Sequence, residues 1–171
     1  MVFILLIAGL LVGGLFLPDE YYVEQSIRIK APKDAVFSQV NNMRKWVEWS
    51  PMRAQDPHVR LSFGGASSGI GASMAWESEV KTLGSGSVTI IESKPYHYIR
   101  SKHVMSSGEE ATGTWLFRST GEETEVIWSQ TGELGFNPAN RYLGLLKERV
   151  MQKQFELGLV GLKKHVESMA H

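Results

Sequence analysis

The sequence predicts an α+β fold, an antiparallel sheet of about seven strands packed against one long C-terminal helix. Three observations carry this. A half-buried alternating segment stands near the start. Short alternating runs fill residues 58–131, with a turn signal about every ten residues. A stripe of apolar residues at steps of three and four then runs from Asn137 to about Met169.

Residues 1–17 (MVFILLIAGLLVGGLFL) hold no charge and no strongly polar side chain. A helix of this length spans about 26 Å, slightly short of a hydrocarbon core of about 30 Å. The segment lacks the basic start and small-x-small site of a cleaved signal peptide. An uncleaved anchor over residues 1–18 is therefore the expectation, a transmembrane-like helix ahead of a domain at 19–171. A cleaved signal, or a helix buried on its own domain or a partner, are the alternatives. Arg28, Lys30 and Lys33 follow the segment and no basic residue precedes it, which is too little to fix the side on which the domain sits.

In YYVEQSIRIK, Val23, Ile27 and Ile29 share one face, which defines the first strand. Ala31-Pro32 ends it, and Pro32 suits the first position of a helix carrying Val36, Phe37 and Val40. A second helical turn over residues 43–49 sets Trp46 and Trp49 three apart and stops at Ser50-Pro51. Six alternating runs follow. Val59, Leu61 and Phe63 form the first, Met74 and Trp76 mark the second, and Val88 and Ile90 the third. Tyr96, Tyr98 and Arg100 alternate with His97, Ile99 and Ser101, and TGTWLFRST and EVIWSQT complete the meander. Asn137 then fits an N-cap and Pro138 the first helical position. Leu143, Leu146, Val150, Met151, Phe155, Leu159, Leu162, Val166 and Met169 form the stripe that faces the sheet, with Lys147, Lys153, Lys163 and Lys164 largely off it. Gly158 and Gly161 are costly inside a helix, so they mark close packing on the sheet or room for a ligand.

Eighteen basic residues balance eighteen acidic ones with no basic run, which argues against a nucleic-acid binder. The chain has no cysteine, so thiol nucleophiles, disulfides and Cys-ligated metals are excluded. Residues 65–69 match G-x-S-x-G, but an alternating strand follows where the nucleophile elbow needs a helix, and no Asp follows Asp56. The segment reads as a hairpin loop. His58, His97, His103, His165 and His171 show no metal-ligand spacing. His97 and His103, read on one strand, point the same way about 20 Å apart, too far to share a proton or metal. They read as solvated or core histidines. No catalytic residue, metal or cofactor is assigned.

The order of strand, short helices, six-strand meander and long helix is that of the helix-grip fold, a curved sheet wrapped around the last helix. SIRIKAPKDAVFSQV with MRKWVEWSPM, Asp56-Pro57, GIGASMAWES, TEVIWSQTGE and FELGLVGLKKHVES resemble the SRPBCC or START-like superfamily, its polyketide cyclase/dehydrase-like members with a leading hydrophobic segment. Together these stretches cover residues 21–170, with W-x-x-W-S-P the most specific. The resemblance implies a deep apolar cavity between sheet and helix. Phe63, Met74, Trp76, Trp115, Phe117 and Trp128 on the strands, with Phe155, Leu159 and Leu162 on the helix, are the candidate ligand-binding residues, although the same positions would serve as plain core. Gln130 or Arg100 could orient a ligand from the inward face, while Trp46 and Trp49 are read as capping the core.

The expected function is a membrane-tethered binding module for a hydrophobic small molecule or lipid. The rivals are a cyclase- or dehydratase-type enzyme, marked by a titratable cavity residue with a strongly shifted pKa, and a ligand-free interaction or stress-related domain, marked by a large exposed apolar patch.

Overall fold

The computed structural model describes residue 9 and residues 12–169. Seven antiparallel strands form one curved sheet in the order β1-β7-β6-β5-β4-β3-β2. They are β1 (Glu20–Ile29), β2 (Arg60–Gly64), β3 (Ser73–Glu77), β4 (Gly86–Lys94), β5 (Tyr98–Met105), β6 (Glu110–Thr120) and β7 (Glu123–Glu133). The first strand closes onto the last, Tyr21 opposite Gly132 and Ile27 opposite Val126, and the meander runs from there to the far edge at β2. A bulge between Ile90 and Glu92 shifts the β4–β5 register, which sharpens local twist.

Between β1 and β2 lie α1 (Lys33–Val40), a 3₁₀ turn (Met43–Lys45), α2 (Trp46–Trp49) and α3 (Met52–Gln55). The sequence shows no apolar period for α3, which follows Pro51 directly. Pro32 precedes α1 in extended conformation, so the helix starts one residue later than expected. The long helix α4 (Pro138–Ser168) begins as predicted, with the Asn137 side chain accepting from the Ala139 N–H at 3.0 Å. It buries Phe155, Leu159, Leu162 and Val166 against the sheet.

His97 falls in the turn between β4 and β5 and not on the strand, because Tyr96 turns back with a positive φ of 61°. The two helix glycines resolve as packing positions. A Cβ on Gly161 would sit 2.2 Å from the Trp49 carbonyl oxygen, and one on Gly158 would sit 2.9 Å from the Trp128 ring. Residues 65–69 belong to the β2–β3 loop, where Gly65 and Gly69 adopt positive φ and the Gly69 N–H donates to the Asn41 carbonyl.

Among the described residues no helix is long and apolar enough to cross a membrane. Residues 1–8, 10 and 11, most of the expected anchor, lie outside the described residues. Residues 12–15 are helical, and the end of this segment rests on the start of α4. Arg141, 9% exposed, donates from Nη1 to the carbonyls of Leu15 and Leu17, both at 2.9 Å, and from Nε to that of Gly135 at 3.1 Å.

Candidate functional site

Inward-facing side chains alternate along every strand, and between the sheet and α4 they leave a cavity of about 500 Å³. The cavity is walled by Trp46 and Trp49 of α2, Trp76 of β3, Trp128 of β7 and Phe155 of α4, so four of the chain's five tryptophans line it. The first half of α4 forms an apolar rim, where Leu143, Leu146 and Val150 both line the cavity and stay exposed at 61%, 60% and 46%.

The wall is stiffened by ring packing. Trp115 and Trp128, opposite one another on β6 and β7, stack with centroids 4.2 Å apart, and Phe155 stacks on Trp128 at 3.7 Å. Trp46 and Trp49 meet Trp115 edge-on at 5.8 and 6.0 Å. The indole N–H groups of Trp46, Trp49 and Trp76 donate to the carbonyls of Val40, Gln39 and Leu83. Those of Trp115 and Trp128 are buried without an acceptor among the described residues, a cost of about 1–3 kcal/mol for each unmet donor.

Of the nine candidate residues, the structure brings Trp76, Trp128 and Phe155 together around the cavity. Trp115 lies behind Trp128, fully buried. Phe117 packs edge-on against Phe37 at 5.3 Å, and Leu159 and Leu162 sit in the helix–sheet core. Met74 lines a narrow crevice with Leu61 and Arg53. Phe63 is half-buried on edge strand β2, under the Arg44 guanidinium at 5.2 Å. Trp46 and Trp49, read as caps of the core, are buried in it and border the cavity as well. Their positions depend on the path of short helices that carry no period long enough to reveal a facing.

The polar groups sit at one end. Ile99, Ser101, His103 and Met105 share the inward face of β5, so Arg100 points outward and pairs with Glu92 at 2.7 Å. The His103 ring lies over Gly113, where a Cβ would come within 2.8 Å of both His103 Nε2 and Ser101 Oγ. His103 Nε2 and Ser101 Oγ share a hydrogen bond of 3.0 Å. Enclosure by protein holds the His103 imidazole far below its ordinary 6.5, at about 4, because the charged form loses its hydration there. Gln130 is buried and donates from Nε2 to the Tyr21 hydroxyl at 3.0 Å. Burial raises the Tyr21 phenol above its ordinary value, opposed by that Gln130 bond.

At the rim, Lys147 pairs with Glu109 and lies over the Tyr21 ring, 4.4 Å from its centroid. Its ammonium is pushed below its ordinary value by burial. Lys147 is four residues from both Leu143 and Met151, so helical spacing already puts it on the cavity stripe, contrary to the expectation that the lysines avoid it. The signal for His103 is its shared parity with Ile99. A separate depression of about 750 Å³ on the convex face is lined by Glu20, Lys102, Thr112 and Glu133, and has neither His103 nor Gln130 nor any tryptophan among its lining residues.

A curved antiparallel sheet gripping a C-terminal helix around an apolar cavity defines a helix-grip protein of the ligand-binding or cyclase-like kind. The chain belongs to the polyketide cyclase/dehydrase and lipid transport family, whose model matches residues 22–167. Among solved structures, it is similar to a Thalictrum flavum norcoclaurine synthase point mutant in complex with a transition-state analogue. That likeness has a TM-score of 0.69 and 10% identity, over 89% of this chain and 97% of that one. A protein from Thermus thermophilus gives a TM-score of 0.64 and 20% identity, over 88% and 99%. The di-domain aromatase/cyclase BexL of the BE-7585A biosynthetic pathway gives 0.63 and 17%, over 91% of this chain and 53% of that one. At these identities the likeness is one of fold. No curated protein matches the sequence significantly.

Proposed function

We propose that this protein is a membrane-tethered binding module that holds a hydrophobic small molecule or lipid between its sheet and α4. The observation that carries the reading is the indole-walled cavity of about 500 Å³ with polar groups gathered at one end. Pockets of roughly 300–1,000 Å³ with apolar walls and few polar groups are typical of drug-sized ligands. Family membership supports the ligand class. The uncharged run over residues 1–17, with Arg141 fastened to its last carbonyls, supports the tether.

One observation favours a second reading, a cyclase- or dehydratase-type enzyme. His103 is a titratable group inside the cavity with a strongly displaced pKa.

Native mass spectrometry of the full chain, purified in mild detergent from two expression hosts, tests the binding reading. A stoichiometric apolar adduct identified after organic extraction is the expected result. An apo mass from both hosts, and none gained after exposure to lipid extracts, overturns it. Recovery of the chain in carbonate-washed membranes is expected for the tether, and recovery in the soluble fraction overturns that part alone. Turnover of an extracted ligand by the wild type and not by His103→Gln would favour the enzyme.

A further inference from the structure

Strands β5, β6 and β7 meet at Gly113. Across one side it pairs with Ser101 of β5, and across the other with Gln130 of β7. Neighbouring strands are about 4.8 Å apart and directly opposed side chains share a face, so Ser101, the vacant side of Gly113 and Gln130 form one row on the concave surface. Because Gly113 has no side chain, the His103 imidazole leans into its place. The result is an imidazole and a carboxamide side by side over a bare patch of sheet, both lining the cavity.

Each of these groups is held by one partner and keeps capacity for another. His103 engages Ser101 through Nε2, leaving Nδ1 without a partner among the described residues. Gln130 engages Tyr21 through Nε2, leaving its side-chain carbonyl oxygen without a donor among them. A neutral imidazole offers one donor and one acceptor, and a carboxamide oxygen only accepts. A hydroxyl has one proton to donate and lone pairs to accept with, so it can donate to Gln130 Oε1 while accepting from His103 Nδ1–H, in the tautomer whose Nε2 accepts from the Ser101 hydroxyl.

Charge narrows the choice further. Among the described residues the one lysine lining the cavity, Lys147, is paired with Glu109, and the lining Glu110 is paired with Lys102 at 2.8 Å. A carboxylate entering the cavity would find no spare cation and would face two glutamates at the rim. The indole walls favour a flat hydrocarbon body, which meets aromatic edges and faces at little cost in conformational freedom.

Resting on the reading of this cavity as the binding site, we infer that the row over Gly113, formed by His103 and Gln130 and held by Ser101 and Tyr21, is a hydrogen-bonding subsite for the hydroxyl group of a neutral, flat, otherwise apolar ligand. The ligand lies with its hydrocarbon body between the tryptophans and its hydroxyl on the row, so only the hydroxyl end is recognised by polar contacts. Gln130 and His103 thus set which end points inward.

Three probes of one shape test this. Affinities of 2-naphthol, naphthalene and 2-naphthoate are measured by isothermal titration calorimetry at neutral pH on the full chain in mild detergent, with detergent alone as the blank. The expected order is 2-naphthol about tenfold tighter than naphthalene, the scale of a good net hydrogen bond, with 2-naphthoate weakest. His103→Phe and, separately, Gln130→Leu should bring 2-naphthol down to the level of naphthalene while leaving naphthalene itself within about twofold. Unchanged naphthalene binding certifies that each variant still forms the cavity. Equal affinity of wild type for 2-naphthol and naphthalene overturns the subsite and leaves the cavity reading standing. Tightest binding of 2-naphthoate, or a naphthol preference that survives both substitutions, also overturns it. If none of the three probes binds the wild type, the cavity reading falls and the subsite with it.

Discussion

Acidification should destabilise this protein through His103 before it does so through any carboxylate. In the folded chain the imidazole is held at about 4, against an ordinary 6.5 once the chain unfolds and water reaches the ring. Between these values the unfolded state binds a proton that the folded state refuses, so stability is full above about 6.5 and declines as pH falls toward 4. At pH 5 the unfolded ring lies about 1.5 pH units below its own pKa. At about 1.36 kcal/mol per unit that amounts to a loss of about 2 kcal/mol relative to pH 7.5. The carboxylates that the fold holds in ionised form act lower. Glu167, bonded to the Lys30 N–H, and Asp56, bonded to the Ser78 hydroxyl and the His58 N–H, are depressed from 4.5 and 3.8 and give up stability below those values. Urea unfolding followed by circular dichroism at pH 7.5 and pH 5 should show the loss in the wild type. His103→Gln should remove most of it, and the difference between the two slopes is the readout, since all other histidines are common to both. Parallel slopes for wild type and variant would refute the reasoning.

Other perturbations separate packing from binding. Gly161→Ala improves helix propensity by about 1 kcal/mol, but its methyl must displace the Trp49 backbone carbonyl from 2.2 Å, and overpacking of this kind costs about 3 kcal/mol. A net loss of about 2 kcal/mol in urea unfolding is expected. Gly158→Ala meets a ring edge at 2.9 Å, less tightly than Gly161→Ala meets backbone, and should be less damaging, so the reverse order would contradict the close approach of α4 and α2. Arg141→Met removes charged donors from three carbonyls. It should raise amide exchange around Leu17 and Asp19 by at least tenfold, while exchange in β6 stays as in the wild type.

The parts of this architecture that are legible in the sequence are those with a period. Val23, Ile27 and Ile29 set the parity of β1, and the steps from Leu143 to Val166 set a face for α4, whereas the closure of β1 onto β7 has no local signal. Parity alone does not say which face is inward, so Arg100 and its neighbour Ile99 are equally eligible until the sheet curves, and it is Ile99 that the fold buries. Trp46 and Trp49 sit at the two ends of one four-residue helix whose direction is set by tertiary packing. The seat for His103 depends on a glycine ten residues away in sequence but one strand away in space, a relation that only register creates. The family resemblance implies a cavity, and the positions that fill the space behind it, such as Trp115 and Leu162, have the same residue types and alternation as those that border it.

The stacked pair of Trp115 and Trp128, 4.2 Å apart, also makes the protein its own optical instrument. Rings that close couple their electronic transitions and share excitation, so an event at the cavity face of Trp128 is transmitted to a ring that no solute can touch. With four tryptophans on the cavity wall and the fifth wired to one of them, the emission of the whole chain is tied to a single compartment. Filling or emptying that compartment can therefore be followed in real time without a label.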